Sequence, residues 1–436
     1  MPAIAIAPGA LSESGNLCSA AESKPAVFFP LLAVLITTSA LTQAPAPPAP
    51  QQSPPSYRFS SGDATLNIPI ELIANGLVFV QAKVNDHPGW FILDNASQGF
   101  LVDREYARQI SLQTSGTAVS RNDVSDAVQV GIIRDVQISL PGMDLTHRNL
   151  VVIDLKSLEP AIGHTVDGII GSRLFDDFIV AVDYERRLLS IYLPDKYQPS
   201  AKETSVPVRL DEHGFQFIDA TIALPGVEPI VANFLIDGGA NSYVDLYKPF
   251  SDAHHLPFPA MKLLDDPGSS AGGATQSRDG RADRITIGPF AIQNPPITFS
   301  QGTEGLMAAK DHAGLIGAQF LQRFTVVFDS RSKRLWLTPN RSYADPAKYD
   351  ESGLRIRAEG PNFHKFVVNR IVLQSPATEA GIEPGDLIES VDNHSVEEMT
   401  LTELRDVLCQ SKETLAVKLT RGNKKLQIAL RLRPLI

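Results

Sequence analysis

Cysteine is almost absent from this chain of 436 residues: Cys18 and Cys409 are the only two. They lie in dissimilar segments, so no disulfide framework holds the fold together, and neither suggests a metal site. Positive charge is also in deficit. Against 49 Asp and Glu stand 39 Lys and Arg, a formal net charge of -10, and without a basic stripe to neutralise phosphates nucleic acid is excluded as a partner. The one cationic cluster, Arg421, Lys424 and Lys425, reads as a hairpin turn. His254-His255 has no acidic or cysteine partner at metal spacing. A Gly-x-Ser-x-Gly motif is missing, which leaves Ser97 and Ser242 without a hydrolase context, and Gly272-Gly273 lacks the strand, helix and lysine of a phosphate loop.

Long apolar runs are scarce too. Ala26 to Leu41 is apolar and uncharged but is interrupted by Pro30, and it falls short of the roughly 20 residues that cross a bilayer. With the small residues Thr42-Gln43-Ala44 behind it, residues 1–44 read as a secretory signal, with an uncleaved membrane anchor through 26–41 as the alternative. Either way the expected location is exported, periplasmic or extracellular. Residues 45–62 follow as a Pro-rich linker.

What is present is a repeat. Phe91 to Val102 reads FILDNASQGFLV and Phe234 to Asp245 reads FLIDGGANSYVD; each is an apolar strand that delivers one aspartate into a turn of small and polar residues, then a second apolar run. Downstream come Gly168-Ile169-Ile170-Gly171 and Gly314-Leu315-Ile316-Gly317, and twelve positions past the last glycine of each lie Asp183 and Asp329. Two copies of this length argue for a duplicated lobe, since a solenoid needs three or more. Asp183 and Asp329 each precede a basic turn and read as turn caps. Thr114 to Ala127 and the glycine-rich Pro267 to Gly280 occupy matching positions as hairpins.

An apolar-apolar-Asp turn followed by an apolar-apolar-Gly strand resembles the retropepsin-like aspartic proteases, and two such lobes in one chain resemble the single-chain pepsin arrangement. The resemblance covers most of residues 63–345. It implies lobes at 63–198 and 203–345, with Asp94 and Asp237 as the catalytic pair and Asn95, Ala96, Ser97, Gly238, Gly239 and Ala240 as the supporting loops. The family pattern is Asp-Thr/Ser-Gly-Ala/Ser, so neither turn here keeps the hydroxyl after its aspartate. In the family that hydroxyl helps lock the two loops together.

Residues 350–436 change character. SPATEAGIEPGDLIESVDN, from Ser375, resembles the PDZ domains of bacterial exported proteases. Such domains add an extended peptide, often a C-terminus, to a sheet edge. Lys365, Phe366, Val367, Val368 and Asn369 are expected to start the accepting strand, with the amides of 362–366 as a carboxylate cradle. The expected architecture is mainly β: two retropepsin-like β-barrel lobes in tandem plus a C-terminal α+β PDZ domain.

The resemblance implies an endopeptidase in which two carboxylates share a proton, the charged one activating water and the protonated one supporting the scissile carbonyl. That chemistry calls for no metal, cofactor or covalent intermediate. The partners expected are a polypeptide substrate and a peptide or protein C-terminus at the PDZ domain. The altered turns leave a second reading open, a bilobal peptide-binding or scaffolding protein that hydrolyses nothing.

Overall fold

The computed structural model describes residues 54–120, 125, 128–259, 261–266, 269–270, 273–410 and 414–436. The expected signal or anchor, residues 45–53 of the linker, the tip of the hairpin after Thr114 and part of Pro267 to Gly280 lie outside the described residues. Among the described residues no helix is long and apolar enough to cross a membrane.

The first lobe is built from β1 (Ala64–Ile73), β2 (Leu77–Val84), β3 (His87–Leu93), β4 (Phe100–Asp103), β5 (Gly116–Ser120), β6 (Val128–Leu140), β7 (Met143–Ile153), helix α1 (Glu159–Ile162) and β8 (Gly168–Ile170). The first half of β2 is buried on both faces, and burial alternates along its second half, whose apolar face meets the core. Asn85 and Asp86 both take positive φ, so a two-residue turn suffices and His87 and Pro88 already belong to β3. The end of the expected linker is corrected: Ser56–Phe59 is a strand on β7, held because Tyr57 and Phe59 both pack edge-on against Phe178.

β8 slides between the two runs that flank the first aspartate, parallel to β3 and antiparallel to β4. The second lobe repeats this. Strand β13 (Ile230–Ile236) leads into Asp237, β14 (Val244–Leu246) leaves it, and β17 (Gly314–Ile316) lies between them. The glycines ending these inserted strands are required by close approach. A side chain on Gly171 would collide with the carbonyls of Ser97 and Gly99, and one on Gly317 with those of Ala240 and Ser242.

The lobes are joined by a shared sheet. Strands β9 (Ile179–Asp183) and β10 (Leu188–Tyr192) of the first lobe and β11 (Thr204–Pro207), β18 (Phe324–Asp329) and β19 (Arg334–Pro339) of the second run in the order β11-β19-β18-β9-β10-β1. The seam is the antiparallel pair β9 and β18, with Val180 opposite Phe328 and Val182 opposite Val326. Three strands on each side of one seam give the pair of lobes an approximate twofold arrangement. One apolar core spans both, with Phe91, Phe234 and Phe324 buried in it; burying each such ring contributes about 1.5–3 kcal/mol. Asp183 and Asp329 accept from the amides of Arg186 and Ser332, as turn caps do.

The C-terminal domain has its own core. Its sheet runs β20 (Leu354–Glu359), β21 (Lys365–Ile371), β22 (Leu387–Val391), β23 (Leu415–Arg421) and β24 (Lys424–Leu430), with helix α2 (Leu401–Leu408) packed beside it. Thr400 and Glu403 close a capping box at the start of α2.

Candidate active site

Each aspartate is fixed by its own lobe in the same way. Asp94 N–H donates to Ile170 O and Asp237 N–H to Ile316 O, both at 3.0 Å, so the inserted strands set the height of the turns. Within each turn an amide donates to the carboxylate: Ala96 N to Asp94 Oδ1 and Gly239 N to Asp237 Oδ1, both at 2.9 Å. Ser97 O accepts from Ser172 N and Ala240 O from Ala318 N, which ties the far side of each turn to the helix after the inserted strand. The two turns abut: a side chain on Gly239 would collide with the Asp94 carboxylate.

One residue locks them together across the lobes. Asn95 is 3 % exposed; its Nδ2 donates to Ile236 O at 2.6 Å, and its Oδ1 accepts from Gly238 N at 2.8 Å. The side-chain amide is both donor and acceptor, so a single asparagine makes the two cross-lobe bonds that the missing hydroxyls suggested would be lost. Gly238 provides the room, since a methyl there would lie 3.1 Å from Asn95 Oδ1. The signal was visible in sequence as an asparagine after one aspartate matched by a glycine after the other, but only the paired geometry gives it meaning.

Asp94 and Asp237 line one cavity of about 2450 Å³. Its apolar walls are Leu158 and Ile162 from the first lobe and Phe217, Met307 and Leu315 from the second, a mixture of apolar surface and convergent carboxylates typical of ligand sites. Among the described residues no cluster of His, Cys, Asp and Glu could hold a metal ion.

The expected peptide-accepting strand is corrected. Lys365, Phe366, Val367, Val368 and Asn369 lie on β21, which pairs with β20 on one side and β22 on the other, so it offers no free edge. Among the described residues the sheet ends at β20 and at β24; β20 is the edge beside α2, where Arg405 donates to Ile356 O at 3.1 Å.

The C-terminal domain is bolted to both lobes. Thr402 Oγ1 accepts from Ala74 N at 3.0 Å. Arg323, buried in the second lobe, donates to the carbonyls of Ser342 and Asp345 at the end of that lobe and of Pro346 just after it, which fixes the exit toward the C-terminal domain. Asp266 is gripped by Arg355 and Arg370; burial works against its charge, but the two guanidinium groups outweigh it and hold the carboxyl below its usual range.

Nearby Asp279 behaves oppositely. Burial first and the Asp266 charge second push its carboxyl up to about 6, against hydrogen bonds from Tyr349 and Thr298. The folded value lies above that of the unfolded chain, so folding takes up a proton between about pH 4 and pH 6, and stability from this group is lost as the pH rises through that window. The full shift corresponds to about 3 kcal/mol. Asp279→Asn is therefore expected to raise urea-unfolding stability by about 1–3 kcal/mol at pH 8 and to change little at pH 4.5. An equal effect at both values would contradict this.

Comparison with known proteins agrees with the geometry. Residues 80–174 match the aspartyl protease family and residues 367–420 the PDZ domain family. No curated protein matches the chain. Among solved structures, the crystal structure of the HtrA3 PDZ domain bound to a phage-derived ligand (FGRWV) is 22% identical, covering 20% of this chain and 86% of that one, with a TM-score of 0.18. The chain carries an aspartyl protease-like domain and a PDZ domain, a protease-like protein with a peptide-binding module.

Proposed function

We propose that the chain is an aspartic endopeptidase that hydrolyses peptide bonds with a water activated between Asp94 and Asp237. The observation that carries this reading is the cross-lobe lock: Asn95 holds the residues on either side of Asp237, so both aspartate turns are fixed against one another at the floor of one large cavity. In this reading the two carboxylates share one proton. The charged member takes a proton from the water as it attacks, and the protonated member hydrogen-bonds the scissile carbonyl and later supplies a proton to the leaving amine. The apolar walls seat side chains of an extended polypeptide and reduce water around the pair, which strengthens those interactions.

The apolar stretch Ala26 to Leu41 supports export, with the enzyme acting outside the cytoplasm. The test is peptide-library cleavage by the full chain across pH 3 to 8, with and without a statine-type transition-state mimic. Cleavage that the mimic blocks is expected. Peptide binding without turnover at any pH would favour the non-hydrolysing scaffold instead.

A further inference from the structure

The groove beside β20 opens into the same cavity as the aspartate pair. Leu354 and Ile356 of β20 and Thr402 and Arg405 of α2 line it together with Asp94 and Asp237. Helix α1 of the first lobe is the shared wall. Its Ile162 faces the cavity, it packs beside β20, and Gly163 directly after it lies against the Leu401 side chain of α2. An extended chain leaving the aspartates along this wall therefore meets the edge of β20, on which no further strand is paired among the described residues.

The start of that edge is already in use. In a PDZ domain the loop before the accepting strand supplies the amides that hold a terminal carboxylate. Here that loop is 350–353, and its amides turn inward: Ser352 N and Gly353 N donate to the Asp350 carboxylate at 3.1 and 2.8 Å, and Leu354 N donates to Ser352 Oγ at 3.0 Å. Asp350 in turn pairs with Arg355 at 2.8 Å. A terminal carboxylate entering this cradle would find its donors already taken by a second carboxylate, and the two like charges would repel.

We propose that the β20 and α2 groove is an extension of the cleft for the substrate itself, and that it receives an internal extended segment of a polypeptide and not a free C-terminus. Arg405, which donates to Ile356 O, swings aside to let the incoming strand pair there. The side chain of Asp350 stands in for the terminal carboxylate and excludes the real one.

This rests on the endopeptidase reading for the identity of the ligand, but its test needs no turnover. The full chain carrying Asp237→Asn would be probed with an acetylated random decapeptide library made as free acid and as carboxamide, with a benzophenone at either end. The two forms are expected to bind within twofold of each other, with one end cross-linking to 354–359 or 402–409 and the other to the lobes. Asp350→Ala is expected to favour the free acid by at least fivefold, because the cradle amides are released. A tenfold preference for the acid in the Asp350 protein, cross-links confined to the lobes, or no binding of either form would overturn the proposal. Cross-links at both ends in a chain that cleaves nothing would remove the endopeptidase reading and leave this one standing, whereas cleavage without any cross-link to the PDZ domain would do the reverse.

Discussion

Replacing Asp94 or Asp237 by asparagine is expected to lower kcat for peptide cleavage by about 10⁴-fold while KM and the unfolding midpoint stay nearly unchanged. Asparagine is the right probe because it keeps an Oδ1, and each turn uses Oδ1 to accept from Ala96 N or Gly239 N. The turn geometry therefore survives and the ionisable group alone is lost. With one member unable to charge, the pair has either no base for the water or no proton for the carbonyl and the amine. The two single variants and the double variant should be almost equally inactive, since removing either partner disables the unit. Measuring kcat and KM separately matters: a rise in KM with kcat preserved would mean that the aspartates merely bind peptide. Retained cleavage in either variant sinks the pair as the catalytic centre.

Much of the architecture was legible because the repeat is spelled in residues whose roles are local. An aspartate after an apolar strand, and a glycine where a third strand must pass against a turn, leave the same trace in both halves; Gly171 and Gly317 meet turn carbonyls at matching places. The seam between the lobes was not legible. Val180 and Phe328 are apolar residues in ordinary alternating strands, and nothing local says that they face each other across a joint. The same limit explains the accepting strand. Lys365 to Asn369 has the composition of an accepting strand, but whether it is an edge depends on Leu354–Glu359 and Leu387–Val391 arriving on either side, a matter of long-range pairing. Asp350 is similar. A carboxylate four residues before a strand becomes a substitute ligand only once the loop folds its amides back on it.

The lock at Asn95 gives the second large effect. Asn95→Ala would orphan two buried backbone groups, Ile236 O and Gly238 N–H, at about 1–3 kcal/mol each. It would also free the two turns to drift, and a displacement of about 1 Å at reacting groups costs on the order of 10²-fold in rate. The expected outcome is a protein that is less stable and, assayed cold where it is fully folded, still about 10²-fold slower in kcat with little change in KM. Unchanged kcat under those conditions would reduce Asn95 to a structural residue. The pairing with Gly238 supplies a sharper test. Threonine at 238 crowds the Asn95 amide, because a methyl there would already sit 3.1 Å from its Oδ1, so Gly238→Thr alone is expected to be damaging. Asn95→Thr alone leaves a shorter hydroxyl facing a glycine and should retain only part of the activity. Together they would re-create the hydroxyl pair of the aspartic protease pattern, and the double variant should outperform Gly238→Thr. That non-additivity is expected only if 95 and 238 act as one contact. Independent losses that simply sum would show that the two residues do not share the lock.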